Sequence, residues 1–145
     1  MDFFHSLHIS ASGLTAQRTR MNVISANLAN AQTTRTPEGG PYQRRDVVFA
    51  AVALPSSFRD VLQDALDKGV AEVRVVEIAT DPRPPKMVYN PSHPDADASG
   101  YVALPSVNIV EEMVNMLSAS RSYEANVTAI QAAKGMALKA LEIAR

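Results

Sequence analysis

Between Phe3 and Ala31 apolar side chains recur at Phe4, Leu7, Ala11, Leu14, Met21, Ile24, Leu28 and Ala31. Steps of three and four alternate, the spacing that lines one stripe of an amphipathic helix. Leu7, Leu14, Met21 and Leu28 stand seven apart, as along the seam of a coiled coil, while Arg18 interrupts the other seam position. Past Thr33 and Thr34 the stripe stops, and TPEGGP (36–41) supplies turn chemistry. A longer stripe runs through Ile109, Met113, Met116, Tyr123, Val127, Ile130, Ala133, Ala137, Leu141 and Ala144, with Ser120 in line. Asn108 stands where an N-cap is needed, and Glu111 three residues on completes a capping box. The spacing therefore predicts a long helix at each end, the second about 55 Å long.

The middle follows a different period. RRDVVFAAVAL and VAEVRVVEIA are rich in β-branched residues with partial alternation, and MVYN and GYVAL read as two further short strands around the loop PSHPDADAS. Between the first two, Phe58, Val61, Leu62, Ala65 and Leu66 trace a short helical stripe, with Ser57 as N-cap and Gly69 as stop. All nine prolines lie from Pro37 to Pro105. Proline inside a helix costs about 3 kcal/mol, so the ends are free to be helical and the middle is not. The expected fold is α+β: long N- and C-terminal helices forming an antiparallel coiled-coil-like pair, with a small β-rich middle domain. The expected division is an N-terminal helix at 1–34, a middle domain at 35–106 with a short helix near 57–68, and a C-terminal helix at 107–145.

With 145 residues, 46% of them apolar and 20% charged, the chain fits one small globular domain with extensions. A net charge of -1, with basic residues scattered, gives no stripe for nucleic acid. No cysteine is present, which removes disulfides, thiolate nucleophiles and Cys-based zinc sites. MDFFHSLHIS lacks the basic and apolar regions of a classical signal peptide. His5 and His8 stand three apart on the first helix, but no third ligand has a supporting spacing, so they read as ordinary helix histidines. Asp95 and Asp97 lack the glycine and distal glutamate of a calcium loop and read as turn residues. Asn126-Val127-Thr128 spells a glycosylation sequon inside a helix. No phosphate loop, nucleophile elbow or acid pair appears. No catalytic residue, metal, cofactor or small-molecule substrate is expected.

The remaining faces of the first helix carry Ser6, Ser10, Ser12, Thr15, Gln17, Thr19, Asn22, Ser25, Asn27 and Asn30. A solvated helix normally carries Lys/Glu pairs, whereas small neutral polar side chains pack against neighbours without stranding charge. Gly13 and Gly135 each cost about 1 kcal/mol in a helix interior, an expense that fits close approach of another backbone. A lone pair of such helices is marginal, and packing among copies would complete it. An ordinary surface of an ordinary helical domain is the plainer reading of the same residues.

These residues resemble a known family. SANLANAQT (25–33) is similar to the N-terminal signature of flagellar rod, hook and hook-associated proteins, and VNIVEEMVNMLSASRSYEANVTAIQAAKGM (107–136) resembles the C-terminal helix of the proximal rod members. YQRRDVVF, MVYNPSHPDADASGYV and LPSVN match in order and spacing, so the resemblance covers nearly the whole chain. The stretch 53–68 looks like an insertion relative to shorter members.

The resemblance implies a structural subunit of the basal-body rod, polymerising helically around the export channel. The implied partners are copies of itself, other rod proteins, the adapter joining rod to membrane ring, and the export apparatus in transit. It also implies a rod in the periplasmic space, reached without a cleavable signal. By position Asn27, Leu28 and Asn30 match the N-terminal motif, and Asn115, Arg121, Tyr123 and Asn126 the C-terminal one. With the stripe residues Leu7, Leu14, Met21, Met113, Met116, Val127 and Ile130 they form the candidate subunit-packing set. Pairing of the two helices within one subunit fits the same positions equally well. A soluble coiled-coil adaptor or export chaperone is the alternative function. A rod subunit should exchange amide protons quickly before about Ala31 and after about Asn108 when monomeric, and an adaptor should not.

Overall fold

The computed structural model describes residues 3–53 and 71–143. Helix α1 spans Phe3–Ala29, strands β1 and β2 span Arg45–Ala53 and Ala71–Thr80, β3 and β4 span Lys86–Tyr89 and Tyr101–Leu104, and helix α2 spans Ile109–Ile143. Two long terminal helices flanking two small sheets make the chain α+β, as the periodicity predicts. The helix expected near 57–68, and most of the apparent insertion, lie outside the described residues.

β1 pairs with β2 in one two-stranded sheet and β3 with β4 in the other. The second pair is antiparallel, with Val88 opposite Val102 and Tyr89 opposite Tyr101, whose rings meet edge to face at 5.3 Å. The loop between them is held by Asp97, whose Oδ1 accepts from the Ser99 and Tyr101 amides at 2.9 Å each. That is Asx-turn chemistry, and it accounts for Asp97 as a turn former, whereas Asp95 accepts from the Thr34 hydroxyl at 2.8 Å. Gly100 closes the turn at φ +81, where an added Cβ would also lie 2.9 Å from the Tyr89 ring. Asn108 caps α2: its Oδ1 accepts from the Val110 amide at 3.1 Å.

The chain forms two compact units, each drawing on both helices and on the middle. The first comprises Met1–Thr19, Val48–Glu77 and Ser120–Arg145, and the second Arg20–Val47 and Ile78–Ala119.

In the first unit Gly13 of α1 lies against Asn126 of α2; a Cβ there would come within 3.0 Å of Asn126 Nδ2. Leu14, Thr15 and Arg18 share a shallow depression with Tyr123, so the helices run antiparallel there. Among its described residues the buried apolar ones are two alanines, Ala16 and Ala133. Ser12 ties α1 to β2, accepting from the Val73 amide at 3.1 Å. His8 does the same through Glu72, with its Nε2 2.8 Å from Glu72 Oε2. Glu72 also accepts from Arg74 at 2.6 Å; that bond first, and His8 second, hold its carboxyl below the usual range.

In the second unit the buried apolar residues are Ile24, Val102, Val107 and Ala119, around the fully buried side chains of Asn27 and Glu112.

The seam differs in detail from the stripes. On α2, Glu112, Ala119 and Ala133 are buried and Met116, Tyr123, Asn126, Ile130 and Ala137 half-buried, whereas Ile109 and Met113 are exposed. The inward line thus passes through Glu112 where the stripe placed Met113. On α1 the buried positions are Ala16, Ile24 and Asn27, while Leu7, Leu14, Met21 and Leu28 are half-buried beside them. The physical reason is size. Glycine and alanine let the backbones approach closely, and a charged residue with its partners on hand displaces a methionine from the interior.

Candidate functional site

The YQRRD segment follows the turn after α1 and feeds β1, which places Tyr42, Arg44 and Arg45 beside the last turn of α1 and the first turn of α2. Asn27 is the hub. Its Nδ2 donates to the Arg45 carbonyl at 2.8 Å and to Glu112 Oε2 at 2.9 Å. Its Oδ1 accepts from the Tyr42 hydroxyl and the Arg45 amide, both at 3.0 Å. An amide side chain has two donors and two acceptor sites, so all four are used.

Glu112 Oε1 accepts from Arg44 Nε at 2.9 Å and lies 2.9 Å from Arg44 Nη2, so one oxygen takes both sides of the guanidinium as a charge-assisted contact. Arg44 extends further to Asp46 at 3.2 Å and Asp81 at 3.5 Å, and the Asp81 amide donates to the Arg44 carbonyl at 2.8 Å. Burial alone would lower the Arg44 pKa; the bonds and charges of Glu112 and Asp46 outweigh it and raise the value. Burial lifts the Tyr42 phenol above its ordinary value. The arrangement satisfies buried charge by pairing and holds four chain segments in one register. It offers no bound nucleophile or open ligand position.

Asp81 is drawn down from 3.8 to about 2, first by the side chain of Arg83, whose Nε donates at 2.8 Å, then by the Arg83 amide at 3.0 Å. A carboxylate whose folded value is depressed stabilises the fold above its unfolded value and stops doing so as pH falls through the folded one. Stability is therefore expected to decline between pH 3.8 and about 2. Asp81→Asn should lower stability at neutral pH and flatten that part of the acid limb, as followed by urea midpoints against pH.

The candidate packing residues separate by place. Asn27 is buried in this clamp. Asn30 closes its own helix end, donating to the Ala26 carbonyl at 2.9 Å and accepting from Thr33 at 3.1 Å. Asn126 donates to the Ser122 carbonyl at 3.0 Å while packing on Gly13. Leu7, Leu14, Met21, Leu28, Asn115, Met116, Tyr123, Val127 and Ile130 are half-buried, and Met113 and Arg121 are exposed. Sequence reasoning did not anticipate Arg44, Asp81 or the buried role of Glu112. The available signal was Glu112 itself, a charge on the inward side of an otherwise small-residue line.

A large apolar face is left uncovered. Val110, Met113, Val114 and Leu117 are 69%, 56%, 62% and 59% exposed, and Met136, Leu138, Leu141 and Ile143 are exposed further along α2. Clusters of this kind mark contact sites.

Comparison with known proteins matches both ends of the chain to one group. The family model described as flagella basal body rod protein matches residues 7–35, and that described as flagellar basal body rod FlgEFG protein C-terminal matches 98–143. Flagellar basal-body rod protein FlgC of Borreliella burgdorferi is 50% identical, over 99% of this chain and 98% of that protein. The Bacillus subtilis protein of the same name is 47% identical over 100% of both chains, and that of Salmonella typhimurium (strain LT2) 40% identical over 99% and 98%. The uncovered helix and the clamp that fixes it thus sit in a chain that belongs to the FlgC family of flagellar basal-body rod proteins, as a structural subunit of that rod.

Proposed function

We propose that the chain builds the proximal part of the rod by helical self-assembly through its two ends. Residues 1–34 and 107–145 form the inner layer around the export channel, and 35–106 lie outward. The observation that carries this reading is that the buried positions of α2 are Glu112, Ala119 and Ala133, while Val110, Met113, Val114 and Leu117 are more than half exposed. A chain that stayed alone would bury the large ones.

Leu7, Leu14, Met21 and Leu28, half-buried beside the seam, and Met113 and Arg121, exposed, are then contacts with neighbouring subunits. The neighbours are copies of itself, other rod proteins and the adapter to the membrane ring, met in the periplasmic space after passage through the export apparatus without a cleavable signal. The protein does no catalysis; its work is mechanical. The family membership favours this over a soluble adaptor or export chaperone.

Lability should be graded. The described part of the first unit buries only alanines from its apolar residues, whereas the second adds Ile24, Val102, Val107 and the clamp. Local stability follows buried apolar contact. In the dilute monomer, amides of Phe3–Thr19 and 120–143 are expected to exchange quickly, those of 20–29 and 109–119 more slowly, and all of them slowly in isolated rods. Uniform slow exchange along both helices of the monomer would refute the proposal and favour the adaptor.

A further inference from the structure

The two uncovered stretches of α2 differ in a way that suits them to each other. Val110, Met113, Val114 and Leu117 fall at i, i+3, i+4 and i+7, the spacing of anchors that seat one helix against another. At the other end Met136, Leu138, Leu141 and Ile143 are 66%, 52%, 67% and 86% exposed and spread around the helix, as on a segment enclosed by neighbours. With Gly13 against Asn126 in an antiparallel pair, most of this second stretch lies past the described start of α1.

Charge adds direction. Glu111 is exposed one turn from Val114 on the first stretch. On the second, Lys139 is exposed between Met136 and Ile143 on one face, at steps of three and four, with Glu142 exposed three residues on along the adjoining side.

We propose that the Met136–Ile143 stretch of α2 in one copy packs on the Val110–Leu117 stripe of α2 in the next copy, with Lys139 of one opposite Glu111 of the other. The proposal rests on the self-assembly reading above. Because the two surfaces are different, the contact is head-to-tail and passes from each copy to the next.

The chain contains no cysteine, so engineered thiols report cleanly. In basal bodies whose only source of this protein is a Val114→Cys/Ile143→Cys chain, mild oxidation is expected to give a ladder of linked copies. Either single variant should give none. Basal bodies that contain the double variant yet form no ladder would overturn the contact, as would dimers from Val114→Cys alone, which would mean a symmetric pairing. Links to a different rod protein would overturn it too.

Reciprocal charge exchange gives an independent reading. Glu111→Lys and Lys139→Glu should each reduce incorporation several-fold, and the combined variant should restore it; a combined variant no better than the singles counts against the contact. Absence of the unaltered chain from isolated rods would instead refute self-assembly itself.

Discussion

Glu112→Ala is expected to destabilise the unit that contains it by about 3–5 kcal/mol, the loss seen when one partner of a buried ion pair is removed. The alanine leaves Arg44 without its carboxylate partner and one Asn27 donor without an acceptor, both away from water. Asp46 and Asp81 remain near Arg44 at 3.2 and 3.5 Å, which places the expected value at the lower end of that range. The shift of the urea midpoint at unchanged slope measures it. A change below about 1 kcal/mol would mean that Arg44 simply re-pairs and that Glu112 does not organise the junction. Replacing Asn27, Arg44 and Glu112 together by aliphatic residues of similar size should recover most of the loss, because no charge is then stranded. Such a recovery would mean that the clamp contributes register more than net stability.

Val114→Asp/Leu117→Asp should do the reverse. Both positions are more than half exposed, so the monomer should change by no more than about 0.5 kcal/mol. Incorporation into rods, and with it swimming, should be lost, because two carboxylates would be carried into a dry interface at several kcal/mol each. Quantifying the chain in purified basal bodies, beside the urea midpoint of the free protein, separates assembly from folding. Normal motility with both aspartates present would show that this face stays in water inside the rod.

The elements were legible because each obeys one local rule. Helix α1 and α2 follow three-and-four spacing on proline-free sequence, and β1 to β4 follow β-branched runs between turn residues. The Asn108 cap and the Asp97 turn were readable for the same reason, since the bonds they make stay within a few residues. What stayed hidden was which side of each helix faces inward. A stripe that contains leucines and methionines looks like a core, yet here alanine, glycine and asparagine occupy the seam and the larger side chains stand beside or outside it. Arg44 and Glu112 are 68 positions apart, and nothing local marks them as partners. Glu111 and Glu112 both stand in the first turn of α2, where the helix dipole favours acids, and that local rule does not say that Glu112 is the one turned inward. In an assembling chain the hydrophobic pattern reports the sum of inner and outer contacts, and sequence alone does not divide that sum.

Both compact units are discontinuous along the chain, and each requires residues from α2. A nascent polypeptide emerging from the ribosome therefore holds neither Ala133 nor Glu112 until synthesis is well advanced. Until then Arg44 has no buried carboxylate to bind and Gly13 no Asn126 to meet. Neither native unit can therefore close before α2 has been synthesised.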